Sequence, residues 1–389
     1  MQFRNLLVSP SSGGMEIVMK KTIYAVSDIH GYCTELEDAL HEAGFVINDD
    51  RHLLIVCGDC FDRGEESKEV FDFLNSVKNK ILIRGNHEDI LEALLEQRLM
   101  GKGGFTNGID CTLRSFFGDR VIGMPDIFYG FSYKLHFEEK EDTVEQLKAF
   151  INHTYDYFET EHYIFTHGWL PVDVWTDGTC AVRRSFRHDR PDVWYRARIT
   201  EWYRAYGAGA TLKGKTVVCG HRSARFGCLI DYNRNPADCS IFTSNGIAVL
   251  DASTMQSGNV NVLVIENETV DSVTHEMTLN ADPFQKIQKG EKRVELRLMD
   301  EKRRKIRVGD RIVFRRTESE ETVCVRVLGL HAYRNFDEVT DDFSDRDLGF
   351  ENRKKSLSEL MRTYYSDSDV EKYGVLAIRI MTEESENEN

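Results

Sequence analysis

Asp28-Ile29-His30-Gly31, Gly58-Asp59-Cys60-Phe61-Asp62-Arg63-Gly64 and Gly85-Asn86-His87-Glu88 are the stretches that decide the reading of this 389-residue chain. Each follows a short apolar run: TIYAVS at 22–27, LLIVC at 53–57 and ILI at 81–83. Such runs predict strands. Between and after them, Glu35 to Ala43, Lys68 to Val77 and Asp89 to Leu99 carry apolar residues at helical spacing. Strand and helix alternate as they do around a largely parallel sheet covered by helices. Open sheets of this kind place their sites at strand ends, where the three polar clusters lie. The pattern returns later: YIFT at 163–166 runs into His167-Gly168, and TVVC at 216–219 into Gly220-His221. Ile247 to Asp251 and Val260 to Ile265 predict two more strands, the last at an edge.

In an extended segment residues i and i+2 point the same way, so Asp28 and His30 can face one ion. Taken singly, a D-x-H or a histidine after a strand is as readily a cap or core group as a ligand. Five such clusters, each at a strand terminus, point to one shared polar site. Cys57 and Cys60 form a C-x-x-C, but Cys57 ends an apolar run and Cys60 sits inside the Gly58–Gly64 motif, which argues against redox or zinc use. Nine cysteines without framework spacing read as reduced thiols of a cytoplasmic protein.

Hydrophobic residues at 41% are enough for real cores, and the length favours two domains. A net charge of −15 excludes a protein coated all over in nucleic acid, though not a local basic patch. No apolar stretch approaches the roughly 20 residues that cross a bilayer. Residues 1–19 read as a disordered leader, 20–268 as the α/β domain, 274–382 as a small β-rich domain and 383–389 as an acidic tail. From Lys286 to Arg316 there are 13 Lys and Arg against 5 Asp and Glu, a balance of +8. Two long excursions, Gly101 to Gly130 and Trp169 to Gly214, read as lids or substrate walls. In the second, Arg183, Arg184 and Arg187 precede Trp194, Tyr195 and Arg198: either a phosphate- or base-binding surface or a solvated amphipathic helix.

D-x-H-G, G-D-x-x-D-R-G and G-N-H-E followed by two separate histidines resemble the calcineurin-like metallophosphoesterases, closest to the phosphoprotein-phosphatase branch with its bacterial diadenosine-tetraphosphatase-like members. The resemblance covers Lys21 to Ile265. It implies a four-layer αββα sandwich with a two-metal site along one edge. Asp28 and His30 would hold one ion, Asp59 would bridge, and Asn86, His167 and His221 would hold the other. His87 would protonate the leaving oxygen, Asp62 would orient it, and Arg63 would grip phosphate. Two ions roughly 3.5–4 Å apart acidify a shared water and neutralise phosphoryl charge. Oxygen and imidazole donors without thiolate suit Mn first, with Fe, Zn, Ni or Mg as alternatives, and Ca less well. Gly220-His221-Arg222-Ser223 has Ser where many relatives place a second His, which favours the phosphatase-like branch. His167-Gly168-Trp169 departs from the H-G-G of eukaryotic phosphatases and leaves protein-phosphatase specificity open.

From Thr278 the chain resembles an ASCH domain, a small β-barrel related to PUA RNA-binding modules, on the signature Gly290-x-Lys292-x-x-Glu295-x-Arg297. The resemblance implies RNA or nucleotide binding in a cleft lined by Lys292, Glu295 and Arg297, and the basic segment fits phosphate contact. The leading reading is a phosphoesterase for a nucleotide, an RNA end or a phosphoprotein, with RNA or nucleotide bound by the second domain and no membrane partner. Two alternatives stand beside it: a phosphoprotein phosphatase using the second domain as an interaction module, and an RNA-binding regulator with a vestigial phosphatase core.

Overall fold

The computed structural model describes residues 10–11, 14–47, 49–126, 132–137, 140–351 and 353–383. These divide into two compact units. The first takes Lys20–Val182 and Arg196–Glu268; the second takes the described residues up to Met19, Arg183–Tyr195 and the chain from Thr269. Residues 1–9 and 12–13 of the expected leader, and 384–389 of the expected tail, lie outside the described residues. The leader's end does not stay structureless, because the first long strand is Gly14–Val26, with Pro10–Ser11 paired to it. Among the described residues no helix is long and apolar enough to cross a membrane.

In the first unit the two main sheets lie among helices, the α/β sandwich that the resemblance implies. Gly14–Val26, His52–Cys57 and Lys80–Ile83 pair in parallel, Val26 beside Val56 and Cys57 beside Ile83. The other sheet runs in the order Phe242–Ser244, Ile247–Val249, Thr216–Cys219, Tyr163–Phe165, Phe158–Glu159, and its middle three strands are parallel. Parallel strands bring all their carboxyl ends to the same edge. The apolar faces of Cys33–Glu42, Ser67–Ser76 and Asn86–Gln97 (Leu36, Leu40, Val70, Leu74, Leu91, Leu95) close one core with Val26 and Val56. Part of the excursion after Gly101 joins the core. Its helix Ile109–Phe117 buries Ile109 and Leu113 completely, because those residues and Phe116 share one helical face.

The second unit is built on a sheet ordered Val294–Leu298, Val375–Thr382, Thr322–Tyr333, Arg311–Arg316, Leu263–Leu279. It is antiparallel except where Leu263–Leu279 meets Arg311–Arg316. Residues 269–273, expected as a linker, continue the 17-residue strand Leu263–Leu279 without a break. The stretch Thr269-Val270 to Val273-Thr274 is rich in β-branched residues and lacks Gly or Pro to stop it.

Candidate metal centre

Five strands end within one or two residues of a polar cluster, and the backbone then turns sharply. Asp28, His30, Asp59, Asp62, Arg63 and His221 have φ between 51° and 76°, six of the ten non-glycine residues in that region among those described. Left-handed backbone at such residues costs on the order of 1–3 kcal/mol each and persists only where surroundings dictate it. The surroundings here are close. A Cβ on Gly85 would fall 2.2 Å from Asp59 Oδ1, and one on Gly220 would fall 2.0 Å from Asp28 Oδ2. Only glycine admits these carboxylates.

Asp59 lies at the centre. Its Oδ2 is 3.8 Å from His30 Nε2 and 3.8 Å from His87 Nε2, and its Oδ1 is 3.3 Å from His167 Nε2. Two groups of donor atoms each fall within 4.8 Å of one another, His30 with Asp59 and His87, and Asp59 with His167 and His221; Asp59 is in both. Asp28 Oδ1 stands 3.9 Å from His30 Nε2, and its carboxylate accepts from His221 N at 2.9 Å. Asn86 Oδ1 is 3.0 Å from His167 Nε2. All six expected ligands are therefore gathered into one cluster.

Three features fit this set to divalent ions. His30 Nδ1 donates to Phe61 O at 3.0 Å and His167 Nδ1 to Cys57 O at 2.7 Å, so both Nε2 atoms face the cluster. A backbone acceptor on the far nitrogen is how ligating imidazoles have their tautomer fixed. His221 Nε2 is buried without a hydrogen-bond partner. Third, every donor is oxygen or imidazole nitrogen, while burial pushes the Cys57 and Cys60 thiols up and keeps them protonated. Burial, helped by His167, lowers His221 to about 3, leaving it neutral and ready to bind. Burial and the nearby Asp251 carboxylate raise Asp28 well above the usual carboxylate range. A cation would relieve that crowding of acids.

His87 opens the helix Asn86–Gln97, which starts earlier than its apolar period suggests. Its Nδ1 is 2.6 Å from Asp62 Oδ2, the geometry of an oriented imidazole, and its Nε2 lies 3.5 Å from Arg63 Nη2. Burial lowers this imidazole, but Asp59 and the Asp62 bond outweigh it and raise it to about 9. Ser223, which stands where many relatives have histidine, uses its Oγ to accept from Arg225 N at 3.3 Å and cap the turn that follows.

Arg183 and Arg184 fall in the second unit, where Arg183 Nε pairs with Asp189 Oδ2 at 2.8 Å. Trp194 is 1% exposed, and Arg198 is buried between Asp89 and Asp156 at 2.8 and 3.2 Å. Neither side chain is a free surface for a base. From the sequence, Glu88 reads as a support behind the ligands or a helix start rather than a ligand itself. It is 0% exposed, and its carboxylate accepts three backbone N–H groups, from Asp59 (2.9 Å), Cys60 (2.8 Å) and Gly85 (2.8 Å). The S/T-x-x-E capping pattern was the only signal for it, with Gly in the capping position.

In the second unit Lys292, Glu295 and Arg297 do meet. Lys292 Nζ is 3.5 Å from Glu295 Oε2, and Arg297 Nε is 3.0 Å from Glu295 Oε1. They line a cavity of about 460 Å³ with Tyr364 and Tyr365. Much of the +8 segment is spent locally: Arg303 pairs with Asp300, Arg311 with Glu383, Arg315 with Glu320 and Arg316 with Glu321.

The calcineurin-like phosphoesterase family model matches residues 21–250, and the chain belongs to that family. An ASCH domain model matches residues 277–383. Over 66 residues the chain is 38% identical to the symmetrical bis(5'-nucleosyl)-tetraphosphatase of Buchnera aphidicola subsp. Acyrthosiphon pisum (strain Tuc7), covering 17% of this chain and 23% of that protein. The corresponding protein of Buchnera aphidicola subsp. Schizaphis graminum (strain Sg) is 38% identical over 68 residues, 17% of this chain and 24% of its own. The chain thus spans only 23–24% of the length of these curated relatives. Among solved structures, a Pyrococcus furiosus protein is 32% identical over 28% of this chain and 98% of its own, with a TM-score of 0.24. The cold-active protein-tyrosine phosphatase of a psychrophilic Shewanella is 14% identical over 68% of this chain and 95% of its own, with a TM-score of 0.37.

Proposed function

We propose that the first unit hydrolyses phosphate esters with two divalent ions, Asp28, His30 and Asp59 holding one and Asp59, Asn86, His167 and His221 the other. The observation that carries this is Asp59's membership of both donor groups. When bound, the ions supply Lewis acidity toward the phosphoryl oxygens and an acidified water. The chain's own groups do the remaining work. Asp62 holds the Nδ1 proton of His87, leaving Nε2–H to be given to the departing oxygen. The Arg63 fork, beside that nitrogen, takes phosphate oxygens and sets the ester against His87. His87 also meets the distances for a ligand, but its 2.6 Å bond to Asp62 favours the acid role.

The substrate we favour is a nucleotide or a nucleoside polyphosphate, the class named for the Buchnera relatives. Lys292, Glu295 and Arg297 would hold an RNA or nucleotide in their own cleft. With Mn supplied, the protein should hydrolyse p-nitrophenyl phosphate. Asp59→Asn should lose more than about 100-fold of that activity, beyond the range of supporting residues, together with bound metal by mass spectrometry. Metal retained at full occupancy in Asp59→Asn would sink the bridged-pair reading. Turnover of diadenosine tetraphosphate, a phosphopeptide and 5'-phosphorylated RNA, side by side, identifies the substrate class.

A further inference from the structure

The excursion after Gly101 contributes a residue to the chemistry, although it holds none of the expected site residues. Thr112, in the helix Ile109–Phe117, is fully buried and meets Asp62 twice. Its Oγ1 donates to Asp62 Oδ1 at 2.6 Å and accepts from Asp62 N at 2.8 Å. A hydroxyl has one hydrogen and two acceptor positions. With its hydrogen on Asp62, the 3.2 Å contact to Ser67 Oγ must have serine as donor. Every position on the hydroxyl is then used, and its direction is fixed.

We propose that Thr112 is a positioning residue for the leaving-group acid: its hydroxyl occupies one oxygen of Asp62 so that the other is presented to His87. Asp62 is 0% exposed, so no bulk water competes for the first oxygen. Asp62 and Arg63 are left-handed, with φ of 76° and 72°, and the same segment braces that turn a second time, Arg63 N donating to Gly108 O at 3.0 Å. Without the hydroxyl, the Asp62 carboxylate can turn about its side-chain torsions to regain a partner for Oδ1. The His87 ring would then lose its fixed acceptor while its own backbone stays in place.

This inference rests on the reading of His87 as the acid, and the experiment separates the two. The acid matters for a poor leaving group and little for a good one, so kcat is compared on phenyl phosphate and on 2,4-dinitrophenyl phosphate. His87→Ala should lose about 10²–10⁴-fold on the former and far less on the latter. Equal losses on both esters would overturn His87 as acid, whatever Thr112 does. Given the unequal loss, Thr112→Val, which keeps shape and removes the hydroxyl, should lose about 10–100-fold in kcat on phenyl phosphate. Its KM, bound metal and rate on the dinitrophenyl ester should stay near wild type. Thr112→Ser, which restores the hydroxyl, should recover most of the loss. A Thr112→Val enzyme that is unimpaired, or impaired equally on both esters, would mean that Thr112 serves the fold alone. If Thr112→Val does not accumulate as folded protein, Thr112→Ala is put to the same comparison and the same criteria.

Discussion

Asp59 and Glu295 are both buried carboxylates at functional clusters, one in each unit, and they are partnered in opposite ways. Round Asp59 stand His30, His87 and His167 and the backbone N–H of His87 at 3.0 Å. An imidazole that yields its proton to a cation offers it a lone pair. Glu295 lies instead between Lys292 and Arg297, at 3.5 and 3.0 Å, groups that stay cationic or are costly to discharge. Its charge is already answered within the protein. The first arrangement is one that a divalent ion completes; the second already has its carboxylate paired and offers a polar wall to a ligand. What distinguishes them is the donor chemistry of the partner.

That contrast predicts a large stability effect on one side. Glu295→Gln leaves Lys292 and Arg297 facing each other without a carboxylate, and breaking a buried ion pair in this way costs on the order of 3 kcal/mol. Urea unfolding followed by a probe in the second unit should show this, with p-nitrophenyl phosphate turnover unaltered. An unchanged midpoint would mean that the pair is effectively solvated and the contrast false.

Next in size is Glu88→Gln. The carboxylate that braces Asp59, Cys60 and Gly85 becomes an amide with one acceptor oxygen for three N–H groups. Mn affinity by calorimetry should fall about 10–100-fold, as it does when supporting groups round a metal are altered. Full affinity would show that the Asp59 turn needs no brace.

The smallest effect is one of pH. In the metal-free protein burial alone would lower His167, but Asp59 and Asp28 raise it to about 10. A raised imidazole stabilises the metal-free fold fully below the ordinary histidine value of about 6.5, and that contribution is lost as pH climbs toward 10. Metal must displace the same proton. Mn affinity should therefore rise with pH from 7 to 9, by at most about tenfold per unit for one proton, with proton release seen by calorimetry in two buffers. A flat profile would place His167 outside the ligand set.

Much of the first unit was legible along the chain because its signals are local. Parallel strands, a polar residue within two positions of each strand end, and glycines beside them are sequence-adjacent facts, and they named the residues gathered round Asp59. The helix of Asn86 and His87 was read as starting at Asp89 because its apolar period begins only in the second turn; its first turn is set by the Glu88 brace. The second unit's cleft residues were named by the resemblance to an ASCH domain, Lys292 to Arg297 lying on and beside a single strand.

What only the tertiary structure decided shares one physical trait: partners far apart in sequence. Thr112 finds Asp62 from fifty positions away, and Glu88 reaches Cys60 across twenty-eight. Arg190 leaves the phosphoesterase stretch of the chain to pair with Asp342, 152 positions on. Strand-end chemistry is carried by chain neighbours and can be read in order. The bonds that aim it are set by which helix packs over which turn, and no local pattern contains that.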